Sequence, residues 1–241
     1  MDNPHWLARM ELLTGPEGIE RLGKAHVLVV GLGGVGSFAA EFLARAGIGR
    51  MTIVDGDVVD LTNKNRQLPA LDSTLGKAKA AIMAHRLRDI NGQLDLKVHE
   101  QFLEPEDIAL LLQENFDFVL DCIDSFQPKL QLITQSLAAG RPLISSMGAG
   151  GRTNPAYVQI GDIWKSHHCP FAQQVRKFLK RQGISASFPV VFSNEPVIEG
   201  SMQLTTGAAY KKSYYGTISY LPALFGIYMS SHVIRTVGGL K

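Results

Sequence analysis

A glycine-rich turn, placed between an apolar segment and a helix, constrains the fold more than any other feature of the sequence. The segment 26–30 has the length of a buried strand, Gly-Leu-Gly-Gly-Val-Gly occupies 31–36, and 37–46 has helical periodicity. Glycines at such a turn let the backbone approach a phosphate, and the N-terminus of the following helix provides unpaired N–H groups. The sequence therefore predicts a nucleotide site at this turn, formed by Gly31, Gly33, Gly34 and Gly36.

The alternation of strands and helices continues through the first 150 residues. Further strands are predicted at 51–54, 94–99, 116–120 and 142–146, with helices at 74–90, 105–114 and 128–139. Because strands and helices alternate, they are expected to form a Rossmann-like, mostly parallel sheet with helices on both faces. Residues 1–150 are therefore interpreted as an α/β nucleotide-binding region.

The pattern changes after a cluster of glycines at 148–151. Strands are predicted at 157–160 and 190–193, a helix at 171–182, and a long polar loop at 194–216. Residues 151–241 are expected to form a smaller C-terminal α+β extension of the same domain, which we assign to substrate and dimer contacts.

Composition excludes several classes of protein. With 45% hydrophobic residues in a chain of 241, a sizeable core can be buried, which argues against disorder. The N-terminus lacks the basic start and long apolar stretch of a secretory signal, and two cysteines provide neither a disulfide framework nor a C-x-x-C zinc pair. We therefore expect a cytoplasmic protein.

One apolar segment, at 216–237, approaches the length of a membrane span. It contains polar residues, among them Ser219, Ser230 and Arg235, and falls short of the roughly 18 to 20 apolar residues that a span requires. A buried or dimer-interface helix is expected there, and a membrane contact is not.

An acidic residue follows the glycine turn at the spacing that nucleotide-binding folds use. Asp55 ends the second predicted strand, about 20 residues beyond the turn, where a carboxylate can accept hydrogen bonds from ribose hydroxyls. This combination alone suits NAD as well as it suits ATP.

The segment that starts at Asp57 favours ATP. Arg66 and Lys79 are cations that bind phosphates, and Asn63 and Gln67 add neutral donors. A triphosphate that is split between its α and β phosphorus atoms needs such groups, because negative charge develops on the leaving pyrophosphate. The alternative interpretation is that Arg66 and Lys79 are solvated surface charges.

Two carboxylates follow the predicted strand at 116–120. Asp121 and Asp124 lie at the carboxyl edge of the sheet, where open α/β proteins bind ligands. Mg²⁺ takes one or two protein carboxylates, while water and phosphate oxygens complete its shell. Asp124 is the better candidate because it lies further into the loop, whereas Asp121 could equally be structural.

Together these motifs resemble the nucleotide site of the ubiquitin-activating-like adenylating superfamily (ThiF, MoeB and HesA). The resemblance covers the glycine turn and the segments 55–57, 63–67, 79 and 121–124. It implies that ATP and Mg²⁺ are bound, with Asp55 on the ribose and Asp124 on the metal. The phosphates would be held by Asn63, Arg66 and Lys79, and Asp57 and Gln67 would also line the nucleotide.

Members of the superfamily adenylate carboxylates and are homodimers. In them an arginine near the N-terminus reaches the neighbouring subunit's ATP, and Arg9 stands where that residue should be. The resemblance therefore implies a homodimer whose catalytic residues are Arg9, Arg66, Lys79 and Asp124.

The last third of the chain indicates a branch of the superfamily. Activators of sulfur carriers usually have two C-x-x-C zinc pairs, which this sequence lacks, whereas 146–152 and 216–226 resemble the tRNA threonylcarbamoyladenosine dehydratases, called TcdA. Members of that branch adenylate the threonyl carboxylate of threonylcarbamoyladenosine next to the anticodon, and the carbamoyl group then closes a ring and expels AMP. The resemblance implies the same ATP-dependent dehydration of tRNA here.

Several alternatives stay open. The chain could activate a ubiquitin-like or sulfur-carrier protein, it could bind ATP as a non-catalytic sensing partner, or a sulfurtransferase-type partner could assist it. Cys169, in Ser-His-His-Cys-Pro at 166–170, could be a nucleophile activated by His167 or His168, or an ordinary loop cysteine. Cys122 is expected to pack at the end of a strand.

A tRNA substrate requires a cationic surface, and two places qualify. Four cations of the predicted helix at 171–182 gather along one side: Arg176, Lys177, Lys180 and Arg181. Lys211 and Lys212 lie among tyrosines that could stack on unpaired bases of an anticodon loop. Either group could instead be a solvated surface, and no DNA partner is expected.

Overall fold

The computed structural model of the chain describes residues 5–204 and 213–240. Its α-helices are α1 Ala8–Lys24, α2 Gly36–Arg45, α3 Lys79–Ile90, α4 Pro105–Leu111, α5 Phe126–Ala138, α6 Pro170–Arg181 and α7 Leu221–Gly238. Its strands are β1 His26–Val30, β2 Arg50–Val54, β3 Asp95–His99, β4 Phe118–Asp121, β5 Leu143–Ser146, β6 Val158–Asp162, β7 Pro189–Ser193, β8 Met202–Leu204 and β9 Ser213–Tyr215.

Seven strands form one sheet in the order β3-β2-β1-β4-β5-β7-β6. Neighbouring strands are parallel except β6 and β7, which are antiparallel. The predicted Rossmann-like, mostly parallel sheet is therefore confirmed. The residues after 150 extend this sheet, because β7 pairs with β5 through Ser145↔Val190 and Ser146↔Val191.

The chain changes its direction across the sheet between β3 and β4. β2 and β3 lie on one side of β1, and β4 and β5 lie on the other. The connections after β1 and β4 therefore lead to opposite sides and leave a crevice at the carboxyl ends of these strands. Val30 is paired with Asp121 at that edge, so the glycine turn and the loop after Asp121 begin side by side.

Helices cover both faces of the sheet, and every residue of β1 is buried. Val27 and Val29 belong to a core with residues of α1, α2, α3 and α7, whereas Leu28 and Val30 belong to a second core with residues of α4, α5 and α6. This division follows from the strand itself, because alternate side chains point to opposite faces. Packing on both faces holds the carboxyl edge of the sheet in place.

Three segments differ from the sequence prediction. α3 begins at Lys79 and not near residue 74, because Gly76 has a φ of 76°, which a right-handed helix excludes. α1 has no predicted counterpart, since Gly15 and Pro16 interrupt its pattern, and the helix is kinked at Gly15. The prediction of a loop at 194–216 is partly wrong, because β8 and β9 pair within this segment as a two-stranded antiparallel sheet.

α7 packs closely on the start of α2. An added Cβ on Gly226 would lie 2.3 Å from the carbonyl oxygen of Val35, so only glycine permits this approach. Leu221, Phe225 and Met229 of α7 are fully buried, as expected for a buried helix. Within the two described ranges, no helix has the length and apolar character needed to cross a membrane.

Candidate nucleotide-binding site

The chain's own packing requires glycine at two positions of the turn. Gly31 has a φ of 90°, and an added Cβ would lie 3.0 Å from the carbonyl oxygen of Cys122 in the neighbouring loop. An added Cβ on Gly36 would lie 1.8 Å from the carbonyl oxygen of Gly31. These two glycines therefore close the turn against the loop that follows β4.

The two central glycines of the turn face other predicted site residues. An added Cβ on Gly34 would lie 3.0 Å from Cβ of Pro222 and 3.4 Å from Cγ of Arg66. On Gly33 the nearest atom would be Nε2 of Gln67, at an ordinary contact distance of 3.6 Å. Oε1 of Gln67 is buried and has no hydrogen-bond partner among the described residues. A ligand at this turn could supply the missing donor.

The first turn of α2 presents backbone N–H groups to the crevice. Its N-cap residue, Val35, makes no side-chain capping hydrogen bond. The hydroxyl of Ser37 donates back to the carbonyl of Gly33 at 2.6 Å and so does not cap these groups. The N–H of Ser37 donates to the carbonyl of Gly33 at 3.2 Å, so the other N–H groups of the first turn and the positive end of the helix dipole are what favour an anion such as phosphate.

Asp55 is fixed at the end of β2 beside the glycine turn. Its Oδ2 accepts a hydrogen bond from the backbone N–H of Leu32 at 2.6 Å, and its Oδ1 accepts one from Asp57 at 2.8 Å. Burial raises the pKa of the Asp55 carboxyl, while these hydrogen bonds and the charge of Lys79 oppose that rise. The predicted ribose acceptor is thus rigidly held at the crevice.

Lys79 is held close to the same strand end. Its Nζ lies 2.9 Å from Oδ2 of Asp57, and its side chain is only 5% exposed, against 52% for Asp57. The backbone N–H of Lys79 also donates to the carbonyl of Asp57 at 3.0 Å. Lys79 is therefore not a freely solvated surface charge, and its ammonium group is oriented by Asp57.

Asn63 and Arg66 are organised by a short 3₁₀ turn. Oδ1 of Asn63 accepts a hydrogen bond from the N–H of Asp60 at 3.1 Å, which fixes the buried side chain. Arg66 donates to the carbonyl of Thr62 at 2.9 Å and to Oδ1 of Asn65 at 2.8 Å. Burial lowers the pKa of Arg66, and the nearby Asp124 carboxylate opposes that change. Arg66 therefore lies at the crevice, within electrostatic reach of Asp124.

The two carboxylates at the carboxyl end of β4 have different environments. Asp121 is fully buried and is bonded to Nζ of Lys129 at 2.6 Å, so the structural interpretation of Asp121 is the one that the geometry supports. Asp124 is exposed, and its Oδ1 is 3.4 Å from the hydroxyl of Ser125. In the described ranges no group of three His, Cys, Asp or Glu residues is arranged to hold a metal ion. A metal here would need ligands from water and phosphate in addition to Asp124.

A buried arginine connects the loops on the far side of the crevice. Arg152 is 2% exposed, and its guanidinium donates to the carbonyl groups of Gly148 at 2.7 Å, His168 at 2.9 Å and Glu195 at 2.8 Å. These residues follow β5, precede α6 and follow β7. Arg152 therefore fixes three loops of the carboxyl edge relative to one another.

Both cysteines are buried. Cys169 is 3% exposed and packs in the core below α6. Cys122 lies 3.8 Å from the sulfur of Met229, and burial raises the pKa of its thiol, which makes the thiolate unavailable near neutral pH. This burial favours the packing interpretation of both residues over a nucleophilic one.

Arg9 is exposed on α1, away from the glycine turn of its own chain. Leu7 lies against Gly47, where an added Cβ would be 2.5 Å from Cδ1 of Leu7. Gly47 follows the C-terminal end of α2, whereas the glycine turn precedes its N-terminal end. The 10 residues of α2 rise about 15 Å, so α1 begins at the opposite edge of the sheet.

Most of the cationic surface predicted on α6 is exposed. Arg176 is the exception, because its guanidinium donates to the hydroxyl of Ser166. The exposed cations of α6 are Lys177, Lys180 and Arg181. The second predicted group, Lys211 and Lys212, lies outside the described residues.

The exposed cations lie towards the edge of the sheet opposite the crevice. α6 starts near Gly148, because an added Cβ on Gly148 would lie 3.9 Å from Sγ of Cys169, the residue before α6. Nζ of Lys180, near its end, is 6.0 Å from the ring centroid of Trp164, which follows β6. Because β6 is antiparallel to β7, its end lies at the amino edge of the sheet. An RNA that contacts this surface and the crevice must span the length of α6.

Comparison with known proteins agrees with this geometry. The ThiF family model matches residues 7–241. The chain belongs to the ThiF family. A Bacillus subtilis protein named tRNA threonylcarbamoyladenosine dehydratase is 40% identical over 237 residues, which cover 95% of this chain and 93% of the relative.

Two solved structures support the same assignment. Both are of the E. coli tRNA N6-threonylcarbamoyladenosine dehydratase TcdA. The complex with AMP has a TM-score of 0.87 at 34% identity and covers 96% of this chain and 93% of that one. The complex with ATP has a TM-score of 0.86 at 34% identity and covers 97% of this chain and 93% of that one. The resemblance to ThiF proteins predicted from the sequence is therefore confirmed.

The residues predicted to bind the nucleotide lie at one edge of the sheet in this ThiF protein, whereas Arg9 does not, and the sequence did not identify their supports. Lys129, Ser145 and Arg152 are buried polar residues behind the crevice. One signal was available for Lys129, because it occupies the buried face of α5 together with Leu130 and Ile133. A lysine in an apolar stripe indicates a buried ion pair. No sequence signal distinguishes Arg152 from a surface arginine.

The Gly33→Ala variant should retain its stability and lose nucleotide affinity. The new Cβ would meet Gln67 at 3.6 Å, so the free energy of unfolding should change by less than about 1 kcal/mol. The methyl group would occupy the space through which a phosphate approaches the backbone, and ATP affinity measured by calorimetry should fall at least about tenfold.

Gly36→Ala is the matched comparison. Its Cβ would lie 1.8 Å from the carbonyl oxygen of Gly31, so stability and affinity should fall together. If the Gly33→Ala protein binds ATP as tightly as the parent, no phosphate lies at this turn.

Proposed function

We propose that this ThiF protein catalyses the ATP-dependent dehydration of threonylcarbamoyladenosine in tRNA, next to the anticodon. The observation that carries the proposal is that Arg66, beside Gly34 of the glycine turn, lies within electrostatic reach of Asp124 at the crevice between β1 and β4. Relatives of that name match over almost the whole chain, at 40% identity for the Bacillus subtilis protein. A tRNA substrate would place the protein in the cytoplasm.

The first chemical step is adenylation of the threonyl carboxylate. A carboxylate oxygen attacks the α-phosphorus of ATP, the bond from that phosphorus to the bridging oxygen breaks, and pyrophosphate leaves. Negative charge grows on the leaving group, and Arg66, Lys79 and the N-terminus of α2 would stabilise it. Asp55 would accept hydrogen bonds from the ribose hydroxyls, and Asn63 and Gln67 would add contacts to the nucleotide.

The residues present also suit Mg²⁺. Asp124 is an exposed carboxylate beside the turn that would hold the phosphates, which matches the preference of Mg²⁺ for one or two carboxylates plus phosphate and water oxygens. Bound there, the ion would neutralise charge on the phosphates during adenylation.

The second step closes a ring within the substrate. The carbamoyl group attacks the activated acyl carbon, AMP leaves with the former carboxylate oxygen, and one proton is released, so the nucleoside loses one water overall. A nucleophile tethered to its electrophile has a high effective molarity, so no enzyme thiol is needed. The burial of Cys122 and Cys169 agrees with this mechanism.

Two other functions predict different results. An activator of a ubiquitin-like or sulfur-carrier protein would adenylate a protein C-terminus, and if it used a cysteine it would depend on Cys169. A non-catalytic ATP sensor would not return labelled pyrophosphate to ATP in the presence of a carboxylate substrate. The buried thiols disfavour the first alternative where it uses a cysteine, and pyrophosphate exchange tests the second.

Incubation of tRNA with the protein, ATP and Mg²⁺ should convert threonylcarbamoyladenosine to a product one water lighter. Nucleoside mass analysis measures this change. Asp124→Ala should reduce the rate by at least about a hundredfold, because it removes stabilisation of transition-state charge, while the exposed site leaves the fold intact. No mass change with the parent protein would exclude the dehydratase, and near-normal turnover by the variant would exclude the Mg²⁺ role of Asp124.

We further propose that the enzyme is a homodimer in which Arg9 completes the partner's ATP site. Support comes from the position of α1, whose first residues lie at the opposite end of α2 from their own glycine turn. The same helix has large exposed apolar side chains, Leu12 at 87% and Leu13 at 77%, beside Arg9. Such a surface is suited to contact with a second copy.

A mixture of two inactive variants tests this arrangement. Arg9→Ala and Asp124→Ala should each be nearly inactive, but a mixed dimer has one site with intact Asp124 and an intact Arg9 from the other subunit. Random pairing makes half the dimers mixed, and half their sites are sound, so about a quarter of parent activity should return. If subunit exchange is verified and activity stays absent, Arg9 acts within its own chain or has no catalytic role.

We also propose that Lys177, Lys180 and Arg181 bind tRNA phosphates, with Lys211 and Lys212 as further contacts. The exposure and clustering of the first three support this assignment. Arg176, whose guanidinium is bonded to Ser166, is expected to fix the helix to its neighbour and to contribute less to RNA binding.

Single charge reversals on α6 should weaken tRNA binding and leave ATP binding unchanged. Lys177→Glu and Arg181→Glu should each reduce the magnitude of the negative slope of log affinity against log salt concentration by about 1, because one phosphate contact is lost. Arg88→Glu on α3 is the control, since it reverses an exposed charge on another part of the molecule. Equal effects of all three reversals would show that α6 is not an RNA surface.

A further inference from the structure

The loop that carries Asp124 is closed into a ring by one buried carboxylate. Oδ1 of Asp121 accepts a hydrogen bond from the backbone N–H of Ile123 at 3.2 Å, at the start of the loop. Oδ2 of Asp121 binds Nζ of Lys129 at 2.6 Å, from the first turns of α5. Asp121 therefore holds both ends of the segment in which Asp124 lies.

Lys129 makes its polar contacts at a fully buried position. Both it and Asp121 have 0% exposed side chains. Nζ of Lys129 also lies 3.3 Å from the hydroxyl of Ser145, which itself donates to Asp121 at 2.5 Å. Nζ is 5.8 Å from the ring centroid of Phe171, at the start of α6. Lys129 thus connects the Asp124 loop with β5 and α6.

Stability alone does not account for this ion pair. Desolvation of two charges offsets most of their attraction, and well-packed apolar residues often replace a buried pair without loss of stability. An apolar pair could not fix the orientation of the loop, because dispersion contacts have no preferred angle. The Asp121 carboxylate, in contrast, accepts hydrogen bonds from three donors. The arrangement therefore restricts the conformation of the loop more than it stabilises the fold.

The ring also places the loop against the nucleotide site. The backbone N–H of Cys122 donates to the carbonyl of Val30 at 2.9 Å, and the carbonyl of Cys122 packs on Gly31. The N–H of Lys129 donates to the carbonyl of Ser125 at 3.2 Å, so α5 starts directly after Asp124. A change in the Asp121–Lys129 contact would move Asp124 relative to the glycine turn.

We propose that Lys129 is a positioning residue, which sets the location of Asp124 relative to the phosphates through its ion pair with Asp121. The inference rests on the proposed function of the site as a Mg²⁺–ATP site. Lys129 touches no substrate, since its side chain has no exposed surface. Its effect must therefore reach the phosphates through the position of the loop.

The Lys129→Met variant tests this role by ligand binding without turnover. Methionine has a similar length and no charge. Binding is read from the rise in melting temperature with ATP, at a series of Mg²⁺ concentrations, and separately with AMP. We expect the Mg²⁺ concentration for half the ATP-dependent rise to increase at least about tenfold, whereas the AMP-dependent rise stays at the parent value.

Two further variants keep the test informative if Lys129→Met does not fold. Ser145→Ala removes one donor to Asp121 and should raise the required Mg²⁺ concentration about two- to threefold. The double change Asp121→Asn with Lys129→Met leaves no unpaired buried charge but removes the tether, so it should fold and show the full tenfold shift.

Glu41→Gln is the matched control for loss of a buried charge contact. Glu41 binds Arg45 and Arg86 on α2 and α3, and its side chain is 11% exposed. This variant should lower the melting temperature without ligand and leave the Mg²⁺ dependence unchanged.

The outcomes separate positioning from stability. A parent-like Mg²⁺ dependence in folded Lys129 variants, or a parallel loss of AMP binding, would overturn the positioning role. A shift of equal size in Glu41→Gln would also overturn it, because the effect would then follow from stability. If the parent protein binds AMP and ATP without any response to Mg²⁺, the proposed metal site fails, which is a different result from unchanged Lys129 variants.

Discussion

The parallel pairing of β1 with β4 is the interaction on which the candidate site depends. Val30 and Asp121 are partners in the sheet, so the next residues of both strands leave the edge together and Gly31 packs on the carbonyl group of Cys122. That contact needs glycine, because φ is 90° and an added Cβ would lie 3.0 Å from the carbonyl oxygen. The glycine turn and the loop with Asp124 are consequently one packed unit.

The carboxylates at this edge act in two ways that follow from their burial. Asp55 and Asp121 are turned inward and accept backbone N–H groups, from Leu32 and Ile123 respectively. A buried carboxylate is stable only when such donors surround it, so Asp121 organises a loop, whereas the partly buried Asp55 is held at the crevice. Asp124 is exposed at the crevice. The division explains why two aspartates only three residues apart in the sequence differ in chemistry.

Prediction from the sequence succeeded where the signal is local. The strand at 26–30, the glycine turn and the carboxyl-edge aspartates each depend on a few consecutive residues, and the structure brings them together as expected. It failed where a contact between residues distant in the sequence determines the structure. The kinked helix α1 is stabilised by packing on α7, with Gly18 next to the carbonyl of Gly238, and the pattern of α1 alone does not predict it. The support of Asp121 by Lys129 and Ser145 likewise joins three separate elements.

The sequence by itself determined the fold class and the family and indicated the residues of the candidate nucleotide site, because glycine turns, strand periodicity and the spacing of acidic and basic residues are local properties of the chain. Only the tertiary structure decided which aspartate faces the crevice, that Arg9 lies at the opposite edge from its own glycine turn, and that Arg176 is bonded to Ser166. The burial and the orientation of a side chain depend on neighbours that are far away in the sequence. A side chain acquires them only when the strands have paired and the helices have packed on both faces of the sheet.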